Sequence, residues 1–160
     1  MAQKSAFIID QDRDFALSIA AVLKGDGLRI VIHEGDKDPI EDIRAERPDI
    51  VLVRAELEGR DNGFSLCSRV KRNKRLQGTI VFLYTQTSTS ETIATHRTQE
   101  TRADDYLMLP PAPPFPFDDI KTRVRTALSA LPVDRPPALP RIALEGVSVP
   151  APAGDDPVFV

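Results

Sequence analysis

Short apolar runs alternate with longer stretches in which apolar residues recur every three or four positions. Ala6 to Ile9, Leu28 to Ile32, Ile50 to Val53 and Ile80 to Leu83 are rich in β-branched residues and bounded by turn formers, the pattern of strands buried on both faces. Between the first two, Phe15, Ile19, Val22 and Leu23 fall at helical spacing and stop before Gly25 and Gly27, which predicts a βαβ unit. A short second helix over Ile40 to Glu46 stops at Pro48, and Phe64, Leu66, Cys67 and Val70 predict a third after the Asn62-Gly63 turn. The stretch from Ser90 to Glu100 reads as a polar fourth helix whose apolar content is limited to Ile93 and Ala94, so it is expected to be exposed and loosely held. A last strand at Tyr106 to Leu109 precedes a fifth helix with Asp118 or Asp119 near its start and Ile120, Val124, Leu128 and Leu131 along one face. The order predicts an α/β fold with a doubly wound, five-stranded parallel sheet.

Proline marks where this pattern ends. All but Pro39 and Pro48 of the 14 prolines lie at or after Pro110, and beyond about Pro132 neither helical nor strand periodicity survives. The reading is therefore one domain over residues 1–131 and an extended or disordered proline-rich tail over 132–160. Within that tail, Ile142 to Leu144 and Val158 to Val160 are apolar enough to dock on another surface.

Composition narrows the function. A net charge of −3 offers no general attraction to nucleic acid or anionic membranes. The basic cluster Arg69, Lys71, Arg72, Lys74 and Arg75 has no interleaved aromatic residue and reads as the solvated end of the third helix. Cys67 is the single cysteine, which leaves no internal disulfide, fits a reducing cytoplasm, and reads as core. The N-terminal apolar run is too short for a signal-peptide core or a membrane span, so a cytoplasmic location is expected.

Open α/β sheets carry their sites at the carboxyl ends of the strands. Those ends present Asp10, Gln11 and Asp12, then Arg54, then Thr85, then Leu109 and Pro110. Asp10, Asp12 and Asp14 do not make a calcium loop, because Phe15 stands where glycine is needed and Ala21 where a bidentate acid is needed. His33 and His96 lack metal-ligand partners at useful spacing and read as exposed or locally hydrogen-bonded.

In these residues the chain resembles the receiver domains of two-component response regulators over roughly residues 4–131. Ile8-Ile9-Asp10-Gln11-Asp12 is similar to the acidic opening motif, Pro48 to Val53 to the strand that delivers the phospho-accepting aspartate, and Gly63-Phe64 to the start of the third helix. Val81 to Thr85 and Ala103-Asp104-Asp105-Tyr106-Leu107 are similar to the last two strands. The resemblance implies a flavodoxin-like strand order of 2-1-3-4-5. It also implies that Thr85 and Tyr106 hold the hydroxyl and aromatic switch positions, that Leu109-Pro110 is cis, and that Tyr106, Met108 and Pro110 belong to a partner-binding face of helix four, strand five and helix five. The loop Glu56 to Gly63, one residue longer than usual, with Cys67 and His96-Arg97, is similar to the atypical receivers at the N-termini of myxobacterial gliding-motility proteins of the FrzS and AglZ kind. That likeness implies an adaptor in cell polarity or motility.

The departures decide the expected chemistry. Arg54 stands at the phospho-acceptor position, Gln11 replaces a metal-holding carboxylate, and Leu109 replaces the strand-five lysine. A guanidinium stays protonated and is no nucleophile toward phosphorus, so a degenerate pocket of Asp10, Gln11, Asp12, Arg54, Thr85 and Leu109 is expected. Arg54 should lie against Asp10 or Asp12, with no catalytic residue, metal or cofactor. The expected function is binding a protein partner, or a second copy as a homodimer, without nucleic acid or membrane. The enzyme alternative is a haloacid-dehalogenase-like phosphatase using Asp10 and Asp12. It lacks a strand-end lysine, and Asp104 and Asp105 precede the last strand where that site needs acids after it.

Overall fold

A computed structural model describes residues 4–35, 37–58, 62–87, 90–130 and 158–159. The alternation read from the sequence becomes β1 (Ser5–Ile9), α1 (Arg13–Lys24), β2 (Arg29–His33), α2 (Ile40–Glu46), β3 (Ile50–Arg54), α3 (Gly63–Arg72), β4 (Ile80–Thr85), α4 (Ser90–Arg97), β5 (Asp105–Met108) and α5 (Phe117–Ser129). All neighbouring strands run parallel, and the five follow the order 2-1-3-4-5. A sixth strand, β6 (Val158–Phe159), pairs in parallel with the outer side of β2. The proline-rich segment from 132 otherwise lies outside the described residues, as does Leu131.

Side chains alternate across the sheet, so each strand feeds two cores. Ile8, Leu52, Phe82 and Leu107 pack with Phe15, Ile19 and Leu23 of α1 and with Ile120, Val124 and Leu128 of α5. Phe7, Val51, Val81 and Leu83 pack on the other face with Ile43, Leu66, Val70 and Ile93. Full burial of a side chain such as Ile19 or Leu52 contributes about 1.5–3 kcal/mol, which explains why β-branched runs settle here.

Local chemistry sets the helix ends. Asp12 caps α1 by accepting from Phe15 N, and Asn62 caps α3 by accepting from Ser65 N. At the start of α3 the chain passes so close to β3 that a Cβ on Gly63 would lie 2.3 Å from the Arg54 carbonyl oxygen. Only glycine permits that approach.

Helix α4 departs from expectation in two ways. It ends at Arg97 instead of Glu100, where the Thr98 hydroxyl donates to the Thr95 carbonyl at 2.7 Å and competes with the helical ladder. It is also anchored, because Ile93 and His96 are both buried. The cis bond moves as well. Among the described residues the cis peptide is Pro113–Pro114, while Leu109–Pro110 is trans. Among the described residues no helix is long and apolar enough to cross a membrane.

Candidate functional site

The carboxyl ends of β1, β3 and β4 meet around one carboxylate. Asp10 follows β1 and is fully buried. Its Oδ1 accepts from Arg54 Nε at 2.8 Å and from Asp12 N at 2.8 Å, and its Oδ2 accepts from the Tyr84 hydroxyl at 2.7 Å. Arg54 ends β3 and lies directly across the ladder from Tyr84, which is why one strand's cation and the next strand's phenol reach the same acid.

A second layer holds Nη1 of the guanidinium, while the buried Nη2 makes no hydrogen bond among the described residues. Nη1 donates to Gln86 Oε1 at 2.7 Å and lies 3.9 Å from Glu56 Oε1. The Arg54 Cζ sits 5.0 Å from the centroid of Phe15 and 5.3 Å from that of Tyr84, distances at which a cation is attracted to the ring faces. Phe115 and Phe117 extend this aromatic shelf, with Phe115 edge-on to Phe15 at 5.0 Å. Gln86 then donates from Nε2 to the Pro110 carbonyl at 3.2 Å, joining the β3 end to the chain leaving β5.

Electrostatics follow from burial. Desolvation acts against the charged guanidinium, but the hydrogen bond and the charge of Asp10 outweigh it and hold the Arg54 pKa above its ordinary value. Tyr84 is pushed well above the ordinary phenol range, first by burial and then by the neighbouring Asp10 charge. It remains a neutral donor.

The remaining sequence-derived residues divide between this cluster and other tasks. Thr85 is buried and its hydroxyl donates to Glu56 Oε2, while its Oγ1 also accepts from Thr87 N at 3.2 Å. Gln11 is exposed and turns away from Asp10. Its amide clamps the loop after β3, donating to Glu58 O at 2.7 Å and accepting from Glu58 N at 2.8 Å. Asp12 is exposed and its carboxylate is spent on the α1 cap. Leu109 is buried and packs with the core cluster that also holds Phe15 and Tyr84.

Tyr106 is not an exposed element of the expected partner face. It is buried beneath α4, and its hydroxyl oxygen accepts from Ala103 N at 3.0 Å and lies 2.5 Å from His96 Nδ1. That oxygen is thus shared between the Ala103 amide and the imidazole. Burial lowers the His96 pKa and favours the neutral ring. Met108 and Pro110 do reach the surface, Met108 at 51 % exposure. His33 is buried and locally bonded, its Nδ1 accepting from Gly35 N at 2.9 Å and its Nε2 lying 3.3 Å from Asp42 Oδ2.

Sequence reasoning paired Arg54 with Asp10 or Asp12; the structure selects Asp10. It missed Tyr84, Glu56, Gln86 and Phe15. Tyr84 left a trace, as a phenol in an otherwise aliphatic strand one position before Thr85. The others depend on cross-strand register.

A divalent ion at this place would need open carboxylate oxygens. Both Asp10 oxygens face protein donors, Gln11 points elsewhere, and Arg54 brings a positive charge to the centre. These residues do not fit a magnesium site.

Comparison with known proteins places this geometry. The family model for the response regulator receiver domain matches residues 6–124. Adventurous-gliding motility protein Z of Myxococcus xanthus is 37 % identical over 108 residues, which are 68 % of this chain and 8 % of that protein. The DNA-binding response regulator MtrA of Mycobacterium leprae is 29 % identical over 144 residues, 90 % of this chain and 59 % of that protein. The chain thus spans only part of the length of these relatives. Among solved structures, the receiver domain of the merR DNA-binding response regulator from Colwellia psychrerythraea superimposes with a TM-score of 0.68 at 22 % identity, covering 79 % of this chain and 99 % of that one. The BeF3-activated N-terminal receiver domain of RstA from Klebsiella pneumoniae gives 0.64 at 26 % identity, covering 78 % and 98 %.

Proposed function

This chain belongs to the response regulator receiver domain family, and we propose that within it the domain works without phosphorylation, as a module that docks a protein partner. The observation that carries the reading is the buried ion pair between Arg54, at the acceptor position, and Asp10. A guanidinium offers no nucleophilic oxygen for a phosphoryl group. The one buried acid beside it already accepts three hydrogen bonds. The same burial argues against Asp10 as a phosphatase nucleophile, since a phosphate ester would have to displace Arg54 and Tyr84 to approach it.

Arg54 then does permanently what a bound metal and phosphoryl group would do reversibly. It neutralises the acid and, through Gln86, fixes the loop after β4. Tyr106 is held inward, its hydroxyl 2.5 Å from His96 Nδ1. The surface of α4, β5 and α5, with exposed Met108 and the exposed Pro110, Pro111, Pro113 and Pro114, is the face we assign to the partner. The likeness to a gliding-motility protein supports a place in cell motility or polarity.

Incubation with acetyl phosphate and Mg²⁺ followed by intact-mass measurement tests the first part. No phosphoryl adduct is expected. A stable adduct that disappears in Asp10→Ala would overturn it. For the docking face, Met108→Glu should abolish capture of the partner without lowering stability, and light scattering distinguishes a second copy of the chain from another protein.

A further inference from the structure

The outer edge of β2 carries chemistry that the pocket does not use. Arg29 N donates to Lys4 O and His33 O accepts from Asp10 N, so the odd-numbered residues of β2 direct their backbone groups toward β1. The period of two sends the N–H and C=O groups of Ile30 and Ile32 to the opposite side. Such an edge is a template for any extended chain that reaches it. In this structure β6 lies on it, with Val158 opposite Val31 and Phe159 opposite Ile32. The Phe159 ring is covered by the Arg13 guanidinium, whose Cζ is 4.3 Å from the ring centroid.

We propose that the outer edge of β2, with Arg13 as its lid, is a docking site for a short extended peptide in which a β-branched residue precedes an aromatic one, and that Val158–Phe159 is its tethered occupant. The occupant must run parallel to β2, because Val158 sits in register where it can bridge the Ile30 carbonyl and the Ile32 amide. Specificity comes from the aromatic position, since Arg13 attracts a π face and an aliphatic residue there would forgo that contact.

The contact is built to be released. Among the described residues only two pair, Phe159 remains 36 % exposed, and the Arg13 side chain is 58 % exposed. A free strand with these two pairing residues holds such an edge only at high concentration. The intervening sequence makes the encounter intramolecular, at an effective concentration on the order of millimolar. A strand of the same type offered by another protein therefore competes with a weak resident, and winning exposes the tethered segment. This inference is independent of how the Arg54 pocket works.

Amide hydrogen exchange in the full chain tests it, with Ile32 as reporter and Ile8 in the central strand as control. In the double variant Val158→Asp with Phe159→Asp, Ile32 should exchange at least 10-fold faster while Ile8 is unchanged. A synthetic peptide with the sequence of residues 155–160, added to that variant, should shift the resonances of Ile30 to His33 saturably and restore Ile32 protection. It should bind the unaltered chain at least 10-fold more weakly, because the edge is taken. Arg13→Ala should weaken the peptide without altering Ile8 exchange. Equal Ile32 exchange in the two proteins, peptide shifts away from β2, or equal binding to both would each overturn the proposal.

Discussion

Replacing Arg54 with methionine keeps most of the side-chain volume and removes the charge that offsets Asp10. Asp10 is fully buried and would keep only Tyr84 Oη and Asp12 N as donors. Breaking a buried pair by removing one partner costs about 3–5 kcal/mol, because the remaining charge is left desolvated. The lost contacts over the Phe15 and Tyr84 rings add on the order of 1 kcal/mol. Roughly 5 kcal/mol should therefore appear in urea unfolding, a large share of the ~5–15 kcal/mol that holds a domain together. The informative comparison is the cycle with Asp10→Asn. The double variant leaves no buried charge, so its loss should fall short of the sum of the single losses by about 2 kcal/mol or more. A cost below about 1 kcal/mol for Arg54→Met, or strict additivity in the cycle, would show that Arg54 is a surface ornament and not the counter-ion of the pocket.

Other expectations are narrower. Arg54→Asp should stay unlabelled by acetyl phosphate in intact-mass measurements, because Gln11 and Leu109 still withhold the second metal carboxylate and the lysine. Tyr84→Phe should cost about 1.5–3 kcal/mol in urea unfolding, the value of a hydrogen bond to a charged group. Both tyrosines have raised pKa values in the folded state, chiefly through burial, so the folded protein binds more protons than the unfolded chain above pH ~10. Their contribution is complete below that pH and is lost above it. The urea midpoint should fall there, with phenolate absorbance appearing only on unfolding. Burial pushes the Cys67 thiol up to about 12, so a thiol reagent at pH 8 should label it at the rate of unfolding. Gly63→Ala should cost about 1–3 kcal/mol, read as a lower urea midpoint, since its Cβ would overlap the Arg54 carbonyl.

Patterns local in sequence were legible. Runs such as Ile50 to Val53 carried the pattern of two-sided strands, and a cation beside the acids at the sheet's carboxyl edge was expected against one of them. What stayed hidden depends on which residues face each other across strands. The partnership of Arg54, Tyr84 and Asp10 follows from a register in which Arg54 opposes Tyr84, and no spacing rule along the chain contains that. Polarity misled at α4, read as exposed and loosely held yet anchored by Ile93 and by His96, which is buried against Phe64 and Tyr106 with its Nδ1 beside a phenol ten residues away.

Gln86 has a polarity that the ion pair beside it lacks. Its carbonyl accepts a hydrogen bond from Arg54 and its amino group donates one to the Pro110 carbonyl, so donation runs one way, from the end of β3 to the exit of β5. Few side chains can sit in the middle of such a relay. Glutamate would present a second acceptor to the Pro110 carbonyl, lysine a second donor to Arg54, and asparagine is one methylene short. Position 86 thus acts as a directional connector, and among homologues the amide there should co-vary with the cation at 54 more tightly than either does with the acids that gave the site its first reading.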